Sequence, residues 1–468
     1  MTKTLTAGRP IHVIVLFAIP LLLGNVFQQV YHFTDAVVVG RLLGVNALAA
    51  VGSTSSVLFL LLGFTFGAAG GMAIPIARSF GSGDVAATRR FIAIGVKVSV
   101  VVGLAVMVIG TLAADPLLTM MRTPAVLMTD ARSFLIASFW AAPITMAFNY
   151  VTAAIRALGD SKTPLVFLVL CSVLNAALVF FFIGVLGMGV IGAAVATAVA
   201  QGSSVIGCIW WVLRKNQMLR LVRQDWIAMH GETQDSLRIG LAMGFQMSVI
   251  AIGAVVLQGA INGLGADAVA ATTAAMRIDQ LATAVLSSFG VAITTFVAQN
   301  HGAAQWRRIR QGVLHTSILT WIIALILGVT LLAFGSSIAQ LFIGAGEPAI
   351  VKLAHDYLRV QAVFYPILAS IFVLRNSIQG LGSTFVPTVA GFMELLLRAG
   401  SGLLLVGPLG YLGVALAAPL AWFGALIPIV FAWFGQRRSL RAKESAMPIE
   451  SVPAVEFELE TSPQLAAA

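Results

Sequence analysis

Charge is what this chain has least of: Asp, Glu, Lys and Arg together make up 10% of its 468 residues, whereas 59% are hydrophobic. So few polar side chains cannot cover a water-soluble globule of that length, which makes the membrane its solvent. Cysteine is scarce too. Cys171 and Cys208 sit in apolar stretches and read as small buried hydrophobes, so no disulfide framework and no thiolate metal centre is expected. The sequence lacks H-E-x-x-H, a paired Asp motif and G-x-S-x-G, which leaves a membrane-embedded enzyme without a catalytic constellation. It also lacks G-x-x-x-x-G-K-[ST], which removes an ATP-driven pump, and no bound cofactor is expected. The formal net charge of +10 does not point to nucleic acid, because the basic residues lie at alternating loop ends rather than on one face.

What is abundant is long apolar runs, and a helical span needs about 20 such residues. They predict twelve transmembrane helices over 11–40, 48–76, 91–113, 132–156, 164–184, 188–213, 237–263, 268–297, 312–334, 353–378, 386–406 and 411–435. The first run is too long for a signal peptide, and it carries Asn25, Gln28, Gln29, His32 and Asp35. Starting the chain in the cytoplasm collects there Arg89 and Arg90, Arg214 and Lys215, Arg307, Arg308 and Arg310, and Arg437 and Arg438. Far fewer cations fall on the other side, so both termini are expected to be cytoplasmic.

The chain repeats itself. G-V-N-A-L-A-A from Gly44 returns as G-A-D-A-V-A-A from Gly265, an offset of 221 that also carries Gly81 onto Gly302 and Gly189 onto Gly410. An offset of 223 carries Pro143 onto Pro366 and Pro164 onto Pro387. Several matches in one order predict two homologous six-helix bundles, and the even number of spans relates them by an axis along the membrane normal. The expected plan is a lobe over 1–213, a polar cytoplasmic linker over 214–236, a second lobe over 237–435 and a disordered tail over 436–468.

Asn25, Gln28, His32 and Asp35 are spaced three, four and three apart, which gathers them within about 80° of one helix face. A charged Asp inside a bilayer costs about 2.5–3.5 kcal/mol on insertion scales, so this stripe faces protein or a water-filled cavity. Asp35 is either a cation-binding group or a carboxylate near the end of the span paired with Arg41, and Asn25 and Gln28 are either site residues or interhelical hydrogen-bond partners. Glu394 and Arg398, four apart, form an ion pair or contact substrate. Arg277 and Asp279, two apart, point to different faces and are candidates for gating contacts. Lys97 and Arg375 lie near span ends and read as snorkelling side chains. Pro20, Pro143 and Pro366 mark bends or static kinks. The many Phe and Met residues suit a pocket for varied lipophilic cations, although most pack helices or face lipid.

The segment P-L-L-L-G-N-V-F-Q-Q-V-Y-H-F-T-D-A-V-V-V-G-R-L-L-G, Pro20 to Gly44, closely resembles the first-helix signature of the multidrug and toxic compound extrusion family. The resemblance continues in G-V-N-A-L-A-A-V-G-S and in R-A-L-G-D-S-K-T-P from Arg156. It implies a V-shaped pair of six-helix bundles in a bacterial inner membrane, exporting amphipathic, often cationic compounds against protons or sodium. By position, Asp35 matches the carboxylate that binds the coupling cation, and Asn175 matches an Asn of the same site. Relatives in the DNA-damage-inducible F branch carry a second acid where this chain has Val179, so Asp35 stands alone. Gln246 and Leu368 replace acids that another branch uses for a sodium site, which favours protons. The expected partners are small amphipathic molecules and lipid, with the chain a monomer. A lipid-linked oligosaccharide flippase of the same superfamily is the alternative; it needs a large cationic cavity.

Overall fold

In a bilayer every backbone N–H and C=O must find its partner within the protein, which leaves helices as the form for runs this apolar. The computed structural model describes residues 4–446 apart from 122, 216–219, 228 and 345, and also apart from the side chains of His32, Val45, Ser56, Leu61 and His230. Helices dominate it, and no strand occurs among the described residues. The helices are α1 Pro10–Leu43, α2 Val45–Gly81, α3 Val85–Met120, α4 Ala125–Trp140, α5 Ala142–Ala157, α6 Lys162–Val179 and α7 Gly189–Lys215. They continue as α8 His230–Asn262, α9 Ala266–Gly302, α10 Trp306–Ile343, α11 Pro348–Gly380, α12 Phe385–Leu404, α13 Val406–Leu409 and α14 Tyr411–Ser445. Of the linker over 214–236, the described part includes a short 3-10 turn, Arg223–Trp226, tied to α3 where Lys97 Nζ donates to the Trp226 carbonyl at 2.6 Å. Of the disordered tail expected over 436–468, residues 436–445 instead continue α14, with Leu440 buried, and 447–468 lie outside the described residues.

Ten of these helices are long and apolar enough to cross a membrane, and counting α4 with α5 as one bent span makes eleven among the described residues. The fourth run of the sequence is this bent pair, broken by 47°. Pro143, second residue of α5, has no N–H to continue the ladder of α4. Pro20 and Pro366, by contrast, lie inside unbroken helices. The eleventh run is α12, a helix of 20 residues that carries Glu394 and Arg398 and is not among those ten.

Turns recur where the sequence repeats. Gly44 and Gly265 have φ of 87° and 97°, Gly159 and Gly382 have 80° and 84°, and Gly189 and Gly410 have 58° and 55°. Left-handed backbone of this kind carries little steric cost only without a Cβ. At one further turn the two sides differ: Gly83 has φ 78°, but the residue 221 further on is Ala304 at φ 54°.

The two largest core clusters are not divided cleanly by sequence. The larger is built from α9, α10, α11 and α14, yet it includes Leu5 and, from α1, Ile14, Phe17 and Ala18. The other unites α2, α3 and α5 with Ile239 of α8 and Ala298 of α9. Further along, α1 returns to its own half, with Val39 against Val179, Ile183 and Val190. The later part of α8 likewise rejoins its own half through Leu257 and Ile261. Each half therefore receives the opening turns of the other half's first helix.

Close packing of α2 on α8 makes this exchange possible. A Cβ at Gly71 would stand 2.7 Å from the Ile239 carbonyl oxygen, and one at Gly67 would enter the Met243 carbonyl. In lipid, helices associate by such close contact rather than by hydrophobic drive, which is why small residues line the crossing.

Candidate functional site

Asp35 lies in the second half of α1, partly buried, and its Oδ1 is shielded from solvent with no hydrogen-bond partner. No Lys or Arg pairs with it among the described residues, so the predicted alternative of an ion pair with Arg41 does not form. A carboxyl group with a shielded, unpartnered oxygen and no Lys or Arg against it is favoured when neutralised by a proton or a bound cation. One turn before it, Tyr31 hydrogen-bonds Asp35 and also shares a 2.9 Å hydrogen bond with Thr197 Oγ1 of α7. Thr197 accepts from Asn175 Nδ2 of α6 at 3.3 Å and donates to the Ala193 carbonyl at 3.1 Å. Asn175 is buried, and its Oδ1 has no partner.

Thus the structure joins Asp35 to Asn175 through Tyr31 and Thr197. Sequence reasoning missed both intermediates. Tyr31 had a usable signal, since it lies four residues before Asp35 on the same stripe. Thr197 had none, being one hydroxyl in an alanine-rich run. Proton counting constrains the chain: the single Thr197 hydroxyl proton points to Ala193, so Thr197 can receive the Tyr31 proton, and Tyr31 then accepts from Asp35 only if Asp35 is itself protonated.

The rest of the polar stripe is divided. Asn25 Nδ2 donates to Ser288 Oγ at 3.0 Å and reaches the Ala284 carbonyl at 3.5 Å, fastening α1 to α9. Gln28 is exposed, and the side chain of His32 lies outside the described residues.

In the second half the charges are compensated. Glu394 is buried between Arg398 at 2.9 Å and Arg375 of α11 at 3.7 Å. Arg375 is therefore not a snorkelling side chain: although near the end of α11 it is packed inside the protein, 7% exposed, where a carboxylate compensates it. Asp279 accepts from the Tyr365 hydroxyl at 2.8 Å and lies within electrostatic range of Arg398. Arg277 is exposed on another face of α9, as the two-residue spacing requires. Gln246 is buried and accepts from Gln379 Nε2 at 2.8 Å, linking α8 to α11. Among the described residues no group of three or more His, Cys, Asp or Glu side chains is arranged to hold a metal ion.

The halves meet at the end where α1 begins. Leu5 N–H donates to Gln299 Oε1 at 2.8 Å, while Gln299 Nε2 donates to the Ala157 carbonyl at 2.8 Å. Arg308 donates to the Gly8 carbonyl at 2.6 Å and to Asn300 Oδ1 at 3.0 Å, and Arg78 reaches the Leu381 carbonyl at 3.3 Å. Arg90 of α3 grips Glu232 of α8 at 2.8 Å. Toward the other end, α6 and α7 make no extended contact with α12 and α14 among the described residues.

Comparison with known proteins agrees with this architecture. The MatE family model matches residues 20–181 and, a second time, 242–404. The "Probable multidrug resistance protein YpnP" of Bacillus subtilis (strain 168) is 28% identical over 382 residues, covering 81% of this chain and 84% of that protein. A solved structure described as "Crystal structure of MATE in complex with MaL6" superposes with a TM-score of 0.85 at 23% identity, over 94% of this chain and 99% of that one. Another, described as the "Outward-facing conformation of a multidrug resistance MATE family transporter of the MOP superfamily", gives 0.84 at 23% identity, over 93% and 97%.

Proposed function

This chain belongs to the MatE family, and from that membership we propose that it is a secondary active transporter exporting amphipathic or cationic compounds in exchange for protons, with sodium the second candidate ion. The observation that carries the proposal is the asymmetry of buried charge. Among the described residues Asp35 is a carboxyl with no Lys or Arg against it, whereas Glu394 lies between Arg375 and Arg398. A coupling ion is needed at Asp35 and is redundant at Glu394.

The hydrogen-bond chain supplies a means of coupling. With Asp35 protonated, Tyr31 donates to Thr197 and Asn175 is held in the same network. With Asp35 ionised, the Tyr31 proton turns to the carboxylate and Thr197 loses a donor. Proton binding thereby changes how α1 is fastened to α6 and α7. A proton descending 100 mV releases about 2.3 kcal/mol, which drives substrate outward if the two ligands exclude each other.

In this reading α12 is a crossing as well, which brings the total to twelve, its Glu394 and Arg398 tolerated because they face protein. Twelve crossings bring both termini to one side, and the basic residues there make that side the cytoplasm of a bacterial inner membrane. The contacts around Gln299 close the cytoplasmic end of a V whose arms diverge outward, and the closed and open ends exchange during transport. The transporter acts as a monomer on small amphipathic substrates. An oligosaccharide-lipid flippase is disfavoured, since the buried arginines of the second half, Arg375 and Arg398, already face Glu394 and Asp279.

The test is export of a cationic dye from proteoliposomes under an imposed pH or sodium gradient. Dye movement driven by the pH gradient, collapsed by a protonophore and lost in Asp35→Asn, supports the proposal. Movement that ignores both gradients refutes it.

A further inference from the structure

Beside the junction of the halves, α10 and α14 leave a groove with an unusual lining. Arg307, Arg310 and Gln311 come from the first turns of α10, Arg437 from the last third of α14, and the exposed Leu314 and buried Trp433 also line it. Arg310 is joined to Glu444, and its Nε is buried with no partner. Arg307 and Arg437 are exposed and have no carboxylate partner among the described residues. Arg308 is not part of the groove, since it binds the Gly8 carbonyl and Asn300. The groove thus holds three guanidiniums against one carboxylate.

Two apolar tracks lead away from it along the helices. On α10, Leu314, Ile318, Trp321 and Leu325 follow Arg307 and Gln311 at helical spacing, and each is at least half exposed. On α14, Phe434, Ile427 and Phe423 follow Arg437 at steps of three, seven and four, and each is about half exposed. Side chains at i, i+3, i+4 and i+7 share one face, so each track is continuous with its arginine. In a multi-pass membrane protein such faces lie against acyl chains.

We propose that this groove is a binding site for an anionic phospholipid, with the headgroup phosphate held by Arg307, Arg310 and Arg437 and the two acyl chains lying along α10 and α14. The chemistry matches at both ends: planar guanidiniums fork onto phosphate oxygens, and the tracks take the chains. A free phosphate would use the arginines but not the tracks. The Glu-bearing tail that follows α14, with Glu450, Glu456, Glu458 and Glu460, has the charge but not two saturated chains.

The test is native mass spectrometry of the full-length protein in neutral detergent, titrated with phosphatidylglycerol or with phosphatidylcholine of the same chains. One phosphatidylglycerol is retained in preference to phosphatidylcholine. Arg307→Gln with Arg437→Gln weakens that retention about 30-fold, at about 1 kcal/mol per cation removed and 1.4 kcal/mol per tenfold. Arg307→Lys with Arg437→Lys keeps most of it and controls for folding. Equal retention of the two lipids, or an unchanged double Gln variant, overturns the site. Competition by inorganic phosphate at the concentrations at which the lipid binds overturns the lipid assignment in favour of a free anion. A large gain in lipid retention when the four tail glutamates are replaced by Gln shows the tail to be the resident occupant and overturns it equally.

Discussion

Gly81 lies directly on the main chain of Gln299, with no room for a Cβ between them, and 221 residues further along Gly302 lies in the same way on the main chain of Arg78. The offset that carries Gly81 onto Gly302 also carries Arg78 onto Gln299, so the two contacts are one contact exchanged between the halves. Around it are gathered the hydrogen bonds of Leu5, Ala157 and Leu381. A side chain at either glycine has to push backbone from backbone. Gly302→Val should therefore open this end, raising the reactivity of a cysteine placed at Ser82 toward a water-soluble maleimide and abolishing dye export. Unchanged labelling and export would show that the contact is dispensable.

Asp35→Asn preserves shape and hydrogen bonding while removing the ionisable group. Gradient-driven export should fall to the level of empty vesicles with the protein still inserted and monodisperse. Undiminished export would remove Asp35 from coupling.

Tyr31→Phe removes one hydroxyl from the chain between Asp35 and Thr197. A hydrogen bond of this kind contributes about 1 kcal/mol, so export should slow about fivefold, well short of the loss in Asp35→Asn. If Thr197→Val produces a similar defect and the double variant is no worse than either single one, the two residues act as a unit.

Glu394→Gln leaves Arg375 buried without a compensating charge and Arg398 with only Asp279 in electrostatic range. Breaking a buried pair in this way costs about 3–5 kcal/mol, which should appear as a marked fall in the thermal unfolding midpoint in detergent. A midpoint within a degree or two of the parent would show these side chains to be solvated.

Ala304 holds the left-handed conformation that its counterpart Gly83 adopts without penalty. Relief of the Cβ clash is worth about 1–2 kcal/mol, offset in part by the greater freedom of glycine in the unfolded chain. Ala304→Gly should stabilise the protein by about 0.5–1 kcal/mol, read as a raised unfolding midpoint; a lowered one would contradict the strain.

Much of this was legible in the residues because lipid leaves few options. Long apolar runs became helices, and the recurrence of Gly44, Gly159 and Gly189 at their offsets is matched by shared backbone conformation at Gly265, Gly382 and Gly410. Four-residue spacing foretold the Glu394–Arg398 pair but not Arg375, because periodicity describes one helix and is silent about its neighbours. The same blindness hid Thr197, which reaches Tyr31 only after α1 and α7 pack. Hydropathy overlooked the break at Ala141, where composition stays apolar while the backbone loses a hydrogen bond to Pro143.

The exchange of opening turns between halves also constrains how the protein is made. Leu5, Ile14, Phe17 and Ala18 leave the ribosome long before α9, α10 and α11, to whose core they belong. For most of synthesis these turns have only lipid, or the insertion machinery, as neighbours. Made early, α1 is among the last helices to reach its final surroundings, and a fragment ending before α8 is born with α1 half unhoused.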